Sequence, residues 1–357
     1  MIRKSAWLTE VLTNFALSFL CYSLVTGRFV TAVAHEDAFA EGGLVLFFLL
    51  AYGLRPFLGA VMDAFSRFHF QSLGCLILFG ATLIPPAWTW AIPLTAGVGY
   101  ALFSTAIGGE SLAFARGYLS RCGGILASGI VGSALGICFA RMPFPQWVFP
   151  GVALGSAVAC FFLSETRKFP RRIRSFRHSV SPSVPRWAVL SLVFLPVLFV
   201  SLTGSFLPAT EFGGYWMLLP ALCCAVGRVV GAYGADRFGA RKAALVGWGI
   251  ALPLLTVFTH IPWLYCLGLV ALHGAVSTCF GVATAAMPSH PHFVYGAGSV
   301  MFLLGSMPSL FSFVITPTLR ILCGVLLLFC LIISQVLYTD HCKILPSPYY
   351  RRKRGRH

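Results

Sequence analysis

Two apolar stretches of the chain carry the same charged pair: Arg55-Pro-Phe-Leu-Gly59-Ala-Val-Met-Asp63 and Arg228-Val-Val-Gly231-Ala-Tyr-Gly-Ala-Asp236. In each stretch an Arg precedes an Asp by eight residues, and the two stretches lie 173 positions apart. The same offset aligns further residues without a gap between about residues 46 and 136: Gly74 with Gly247, Trp90 with Trp263, Ser104-Thr105 with Ser277-Thr278, Gly108 with Gly281, and Gly132-Ser133 with Gly305-Ser306. Because an internal repeat keeps its offset over long distances, the sequence predicts a protein made of two duplicated halves.

The composition places both halves in a membrane. Hydrophobic residues make up 58% of the chain, charged residues only 10%, and the mean hydropathy is +0.84, which is too apolar for a soluble fold. A helix needs about 20 apolar residues to cross a bilayer. Runs of that length predict an all-α polytopic membrane protein with twelve transmembrane helices, at about residues 7–27, 42–62, 70–87, 89–108, 122–140, 146–164, 187–205, 214–235, 243–259, 262–284, 293–315 and 318–338.

The basic residues predict the orientation in the membrane, because Lys and Arg of short loops stay on the cytoplasmic side. One side of the predicted topology holds both termini and most of the cations: Arg3, Lys4, Arg67, Arg116, Arg121, Arg237, Arg241, Lys242, the run from Arg167 to Arg177, and the run from Arg351 to Arg356. We therefore expect a multi-pass protein of the cell (inner) membrane with both termini cytoplasmic. The net charge of +16 is explained by these loops lying against anionic lipid headgroups, so nucleic acid is not an expected partner.

The first predicted span has the outline of a cleavable signal peptide, a basic start followed by an apolar run. Its interior contains Glu10 and Asn14, which are unusual in the apolar core of such a peptide. Cleavage would also break the repeat of six plus six spans. The segment is therefore interpreted as a retained transmembrane helix.

The cysteines and acidic residues do not indicate a redox, metal or catalytic centre. Eight of the twelve cysteines lie inside apolar runs, where a thiol behaves as a small hydrophobe, and no C-x-x-C pair occurs. The ten acidic residues are scattered rather than clustered with a nucleophile or base. We expect no disulfide framework, no metal, no cofactor and no enzymatic activity.

The loop Asp236-Arg237-Phe238-Gly239-Ala240-Arg241-Lys242 resembles the loop signature of the major facilitator superfamily of secondary transporters. In the second copy Ala232 stands where the family has Gly, and the first copy keeps Gly59, Asp63 and Arg67. The resemblance implies two pseudo-symmetric six-helix bundles and access that alternates between the two membrane faces. The implied domains are residues 1–164 and 187–338, joined by a basic linker, 165–186, and followed by a basic tail, 339–357.

The resemblance also implies a gate at the cytoplasmic ends of the bundles, in which the signature residues hold the two bundles together. The implied gate residues are Gly59, Asp63, Arg67, Asp236, Arg237, Gly239, Arg241 and Lys242. Glu110 and Arg116 are similar to a further acidic-to-Arg gate pair of the sugar-porter members, at a spacing one residue shorter. An ordinary exposed salt bridge, contributing at most about 1 kcal/mol, explains that pair equally well.

The substrate site is expected among charged groups at membrane depth, where they are costly and usually functional. Arg55 and Arg228 lie about 12 Å deeper than the signature Asp residues, at about 1.5 Å per residue, and two converging arginines suit a carboxylate or phosphate. The alternative is that each Arg extends toward the cytoplasm and joins the gate.

Further polar residues of the predicted spans complete the candidate site. Tyr100 and His273 are repeat equivalents, and imidazole titrates near neutral pH, so His273 is a candidate proton carrier; a structural hydrogen bond between helices is the alternative. Glu10 and Asn14 share a helix face. Asn14 is a candidate substrate ligand, whereas Glu10 is either a second proton carrier or part of the cytoplasmic interface.

These features predict a monomeric secondary active transporter that moves a small solute by alternating access, with an organic anion as candidate substrate and protons as the coupling ion. An efflux antiporter for drugs or metabolites is the first alternative, and the segment from Ala101-Leu-Phe-Ser104 to Gly108-Gly109 faintly resembles the fosmidomycin-resistance-like exporters. However, Gly132-Ser133-Ala-Leu-Gly136 lacks the Pro of the antiporter signature. The alternative of a different class is a polytopic sensor or scaffold that transports nothing.

Overall fold

Twelve helices account for nearly all of the chain that the computed structural model describes, namely residues 4–33, 37–65, 68–114, 118–140, 142, 144–145, 147–163, 179–180, 186–205, 218–258, 260–310 and 317–339. The first half contains α1 (Lys4–Ser23, continued by a π-helical Leu24–Phe29 and by Val30–Ala32), α2 (Asp37–Phe48, a π-helical Leu49–Gly53, then Arg55–Ala64), α3 (Phe70–Thr82), α4 (Ala91–Phe114), α5 (Leu119–Cys138) and α6 (Val148–Leu163). The second half contains α7 (Arg186–Ser205), α8 (Leu218–Phe238), α9 (Ala240–Thr256), α10 (Pro262–Ala286), α11 (Pro291–Leu310) and α12 (Pro317–Leu337).

The predicted all-α polytopic fold is confirmed, and each helix coincides with a predicted span to within several residues. Six helices of the described part are long and apolar enough to cross a membrane by length and composition: Ala6–Ala32, Phe39–Ala64, Ala91–Ala113, Leu119–Cys138, Leu218–Phe238 and Pro262–Ala286. One feature was not predicted, a two-residue antiparallel pairing of β1 (Ser179–Val180) with β2 (Tyr338–Thr339). Most of the linker and the tail beyond residue 339 lie outside the described residues, so the proposed domain limits stay predictions.

Proline and glycine set several helix boundaries. Helices α10, α11 and α12 each begin with a Pro, at Pro262, Pro291 and Pro317, where the missing N–H is not needed and the fixed φ suits a helix start. Gly239 connects α8 to α9 with a φ of 96°, a conformation that only glycine adopts without strain. The signature loop is therefore a single-residue turn.

A widened turn in the middle of α2 follows from the position of Pro56. In the register of a π-helix the carbonyl of Ala51 accepts from residue 56, but a proline has no N–H to donate. The Nε of Arg55 donates to that carbonyl instead, at 2.6 Å. The local sequence thus fixes the Arg55 side chain against its own helix at the depth of the widened turn.

The helices pack as two bundles that repeat the same neighbours. In the first half α1 packs on α5 and α6, and α3 packs on α4 and α6; in the second half α7 packs on α11 and α12, and α9 packs on α10 and α12. Each half has its own buried cluster of apolar side chains. The predicted arrangement of two pseudo-symmetric six-helix bundles is therefore confirmed.

The bundles meet along two symmetry-related helix pairs, α2 with α11 and α5 with α8. Gly296 of α11 packs against the backbone of Arg55 and Pro56, and Gly123 of α5 packs against the backbone of Arg228 and its neighbour. A side chain at either glycine would overlap or crowd the facing helix, because ideal Cβ atoms built there fall inside or at the limit of van der Waals contact. Close approach of small residues is how helices associate in lipid, where no hydrophobic force drives them together.

Candidate functional site

Asp63, at the end of α2, joins the first bundle to the second. Its carboxylate accepts hydrogen bonds from the backbone N–H groups of His292, at 3.2 Å, and Phe293, at 2.9 Å, in the first turn of α11. The His292 ring adds a third contact, with Nδ1 2.7 Å from the carboxylate. A carboxylate is stabilised here because the first N–H groups of a helix have no partner within the helix and carry its positive dipole end.

Asp236 makes the equivalent contact in the other direction. Its carboxylate accepts from the backbone N–H groups of Leu119, at 2.8 Å, and Ser120, at 2.7 Å, in the first turn of α5. At the offset of 173, Leu119 and Ser120 correspond to His292 and Phe293, and Asp63 corresponds to Asp236. We call these two reciprocal contacts the aspartate caps, and the end of the molecule where they lie the capped end.

The basic residues of the second signature loop do not supply the inter-bundle contact in the described part of the chain. Arg241 pairs with Gln335 of α12 in its own bundle, with Nε 3.1 Å from the amide oxygen. Arg237 lies over the adjacent Phe238 ring, and Lys242 is exposed. The recorded inter-bundle partners of the two aspartates are therefore mainly backbone N–H groups, and the gate roles of Arg237, Arg241 and Lys242 stay predictions. Arg67 and Arg116 lie outside the described residues, so their gate roles stay predictions.

Glu110 is not an exposed salt-bridge residue. It is 4% exposed, and the amide Nε2 of Gln71 on α3 donates to its Oε2 at 2.7 Å. The alternative of an ordinary exposed ion pair is therefore wrong for Glu110, since the side chain points into the first bundle. The adjacent Gly109 packs directly on His292 of the aspartate cap.

Arg55 lies among tyrosines at the interface between the bundles. Its guanidinium carbon is 4.1 Å from the ring centroid of Tyr52, 5.3 Å from that of Tyr100 and 5.9 Å from that of Tyr295 on α11. Nη1 donates across the interface to Ser299 at 3.0 Å. The side chain is 3% exposed, and Nη2 has no hydrogen-bond partner in the described residues.

Hydroxyl groups of the first bundle hold two of these tyrosines, Tyr52 and Tyr100, in place. The Tyr52 hydroxyl lies 2.6 Å from that of Tyr22, and the Tyr100 hydroxyl lies 3.2 Å from Ser18 on α1. Cation–π contacts of this kind contribute about 0.5–2 kcal/mol each when desolvated.

The alternative in which Arg55 extends to the gate is not what the structure shows, since its partners are Ala51, Ser299 and the tyrosines.

Arg228, the repeat equivalent of Arg55, has different surroundings. Its guanidinium carbon lies 5.2 Å from the ring centroid of Phe302 and 5.6 Å from that of Phe280. The side chain is 7% exposed, its Nε is buried without a partner, and no hydrogen bond joins its guanidinium to another described residue. This is a buried cation with most of its donors unused.

His273 lies beside Arg228, just as Tyr100 lies beside Arg55. The two side chains are close enough to interact electrostatically, and the His273 Nδ1 is buried without a partner in the described residues. Ser277, one turn along α10, donates to the backbone carbonyl of Arg228 at 3.1 Å. The repeat thus places one aromatic or imidazole ring from α4 or α10 beside each arginine.

The two arginines face one aromatic pair at the bundle interface. Tyr295 and Phe280 have ring centroids 5.9 Å apart. Arg55 lies 5.9 Å from the Tyr295 ring and Arg228 lies 5.6 Å from the Phe280 ring. The structure therefore brings both predicted arginines to one central region, together with Tyr100 and His273.

Asn14 and Glu10 serve other parts of the first bundle. The Asn14 amide donates to the Ile125 carbonyl of α5 at 2.6 Å and packs on Gly129, so it ties α1 to α5. Glu10 is 2% exposed and interacts electrostatically with Glu110. Neither side chain has a contact with Arg55 or Arg228 among those the structure records.

Several residues of the site were not identified from the sequence: His292, Tyr52, Tyr295, Ser299, Phe280 and Phe302. Phe and Tyr are abundant, so spacing alone gave no reason to select these positions. His292 is the repeat equivalent of Leu119, and Asp63 is the repeat equivalent of Asp236. The contact between Asp236 and Leu119 therefore predicts one between Asp63 and His292, but neither contact can be read from the sequence alone. In the described part of the chain, no group of three His, Cys, Asp or Glu residues is placed to hold a metal ion.

Comparisons of the sequence with protein-family models and with curated proteins gave no match. Solved structures match over nearly the whole chain. A bacterial homologue of the iron transporter ferroportin, in an outward-facing state, has a TM-score of 0.64 at 16% identity over 94% of this chain and 98% of its own. The fucose:proton symporter FucP of E. coli has a TM-score of 0.59 at 14% identity over 93% of this chain and 99% of its own.

A third similar structure is the human organic anion transporter MFSD10, with a TM-score of 0.61 at 15% identity over 93% of this chain and 100% of its own. The arrangement of twelve helices in two bundles agrees with the near-complete coverage of these structures. The chain therefore has the fold of the major facilitator superfamily transporters.

Proposed function

We propose that the protein is a proton-coupled secondary active transporter of a small organic anion, working by alternating access between its two bundles. The observation that carries this proposal is the pair of buried arginines, Arg55 and Arg228, at the interface of the bundles. The Arg228 Nε is buried without a partner, and a buried donor left unsatisfied costs about 1–3 kcal/mol. A bound anion supplies the missing partner.

Arg228 is the main anion-binding residue in this proposal. Its donors are unused, and a guanidinium pairs with a carboxylate or phosphate through two parallel hydrogen bonds. The rings of Phe280 and Phe302 beside it favour an anion that also carries an apolar or flat group. Tyr295 lies between the two arginines and contributes a hydroxyl to the same region.

Arg55 is the secondary anion-binding residue, since two of its nitrogens already donate to Ala51 and Ser299 and three tyrosine rings lie beside its guanidinium. The bond from its Nη1 to Ser299 crosses from α2 to α11, so this contact has to change when the bundles move apart at the capped end. The unpartnered Nη2 remains for a substrate group. Arg55 thereby links substrate contact to bundle movement.

Protons couple to the anion through His273. Beside Arg228, a second positive charge is unfavourable until an anion neutralises the pair, so anion and proton favour each other's binding. Glu10 is a further titratable group at membrane depth. Coupled binding of this kind produces symport, with the direction set by the gradients.

The two aspartate caps support an outward-facing assignment. We place the capped end at the cytoplasm, because the loop cations lie there and Lys and Arg are retained on that side. With that end closed by two charged contacts, we infer that the central region is reached from the outside. No contact among the described residues of the site favours efflux antiport or a sensor role.

The test is substrate binding and flux in purified protein and proteoliposomes, with organic anions compared against lipophilic cations. Arg228→Gln is expected to weaken anion binding at least tenfold, because a charge-assisted bidentate contact is lost. Arg55→Gln should weaken it less, and Arg121→Gln, which removes an exposed arginine of α5, should leave it unchanged. Unaltered anion affinity in both Arg55→Gln and Arg228→Gln, with folding intact, would reject the proposal.

A further inference from the structure

Glu110 and Gln71 form a buried polar pair inside the first bundle, apart from the arginines. Gln71 is 2% exposed and Glu110 is 4% exposed. The amide Nε2 donates to the carboxyl Oε2 at 2.7 Å, whereas the amide Oε1 is buried and has no hydrogen-bond partner in the described residues. A buried amide oxygen without a donor costs about 1–3 kcal/mol, so a missing donor is indicated.

A protonated carboxyl at Glu110, whose Oε2 already accepts from this amide, would have an O–H to donate to it. A carboxylic acid and a primary amide can pair through an O–H to oxygen bond and an N–H to oxygen bond, which satisfies both groups. The need for a proton does not depend on the orientation of the amide. If the amide nitrogen and oxygen exchange places, the amide oxygen lies 2.7 Å from the carboxyl oxygen of Glu110. Only a proton between two such oxygens makes that contact attractive.

The charges around the pair act in the same direction. Glu10 of α1 and Cys160 of α6 are the described titratable groups that interact electrostatically with Glu110, and neither is a cation. On α3, Cys75 pairs with Cys160. From α11, His292 packs on the adjacent Gly109 but is paired with Asp63. Two carboxylates in one buried site cannot both remain ionised cheaply.

We propose that Glu110, paired with Gln71, is a proton-binding site of the first bundle and that its carboxyl is neutral in this conformation. The proton comes from water and occupies a carboxyl oxygen, with no other bond changed. Its position on α4, next to the Gly109 contact with the aspartate cap, couples the site to the closed end. That link to transport rests on the proposed function, whereas the proton site itself does not.

The test is infrared spectroscopy of the purified protein in lipid nanodiscs, without substrate. We expect the carbonyl band of a protonated carboxylic acid at neutral pH, lost in Glu110→Gln and kept in Glu41→Gln, which removes an exposed carboxyl. Glu110→Gln should fold, because two amides can also pair through two hydrogen bonds. An unchanged band in Glu110→Gln, or its absence from the wild-type protein, would overturn the assignment.

Gln71→Leu provides a second measurement that does not depend on the first variant folding. Removal of the amide frees the carboxyl carbonyl of its hydrogen bond, so the band should move to higher frequency. A band at the wild-type frequency in Gln71→Leu contradicts the pairing. Because no substrate is present, loss of transport in any variant leaves these outcomes unaffected, and the proposed function is tested separately.

Discussion

Two arginines at equivalent positions of the repeat have been given different environments by their neighbours. Arg55 follows a π-helical turn and lies among Tyr52, Tyr100 and Tyr295, with a hydrogen bond to Ser299. Arg228 has phenylalanines instead, and its guanidinium makes no hydrogen bond to another described residue. The duplicated sequence thus contains one arginine that is largely satisfied by the protein and one that is not.

At the residue scale, His273 is expected to make anion binding depend on pH. A protonated imidazole beside Arg228 adds a second positive charge for the anion, and a neutral one does not. His273→Gln should therefore bind the anion with an affinity that no longer changes between mildly acidic and alkaline buffer. Calorimetric titration of the purified variant measures this. If His273→Gln keeps the pH dependence of the wild-type protein, its role as proton carrier is excluded.

At the element scale, the aspartate caps should control backbone exchange at two helix starts. Asp63→Asn weakens the acceptor for the N–H groups of His292 and Phe293, because a charge-assisted bond becomes a neutral one of about half the strength. Hydrogen exchange detected by mass spectrometry should become faster at the start of α11 and stay unchanged at the start of α5.

Asp236→Asn is the matched control for that experiment, since its carboxylate accepts from Leu119 and Ser120. It should accelerate exchange at the start of α5 and leave α11 unchanged. Equal acceleration at both helix starts in both variants would mean that the bundles separate as a unit. No acceleration in either variant would contradict the caps.

Two glycines of α8, one turn apart, allow the effect of helix packing on stability to be distinguished from that of helix propensity. Gly231 contacts the backbone of Gly274 on α10 closely, whereas a Cβ at Gly234 meets nothing within 4 Å. Gly231→Ala should destabilise the protein by about 1–3 kcal/mol through overpacking. Gly234→Ala should be neutral or stabilising by up to about 1 kcal/mol, since Ala is the better helix former. Thermal unfolding in detergent measures both; equal stability of the two variants would show that α8 and α10 are not closely packed.

The fold could be predicted largely from the sequence, whereas the site could be predicted only in part. Apolar run lengths and the offset of 173 fix the number of helices and their duplication, because both are properties of contiguous segments. The pairing of Gln71 with Glu110 joins α3 to α4, and the pairing of Asp63 with His292 joins the two bundles. Contacts of this kind depend on how helices are rotated about their axes, which spacing along one chain does not determine.

At the scale of the whole molecule, the two bundles are held together at the capped end by reciprocal contacts of the same chemistry. Each Asp belongs to one bundle and accepts from the first turn of a helix in the other. Both contacts have to be released for that end to open. The Arg55 bond to Ser299 also crosses from α2 to α11. Under the proposed function, a substrate that binds Arg55 would weaken this bond and so destabilise the closed state.

The most direct test of proton-coupled organic anion transport is uptake of a labelled organic anion into proteoliposomes under an imposed pH gradient. Accumulation is expected when the outside is acidic, and it should be abolished by a protonophore and lost in Arg228→Gln but not in Arg121→Gln, which removes an exposed arginine. Uptake that does not depend on the pH gradient would contradict proton coupling. Uptake of lipophilic cations in place of anions, unaffected by Arg228→Gln, would contradict both organic anion transport and the role of Arg228.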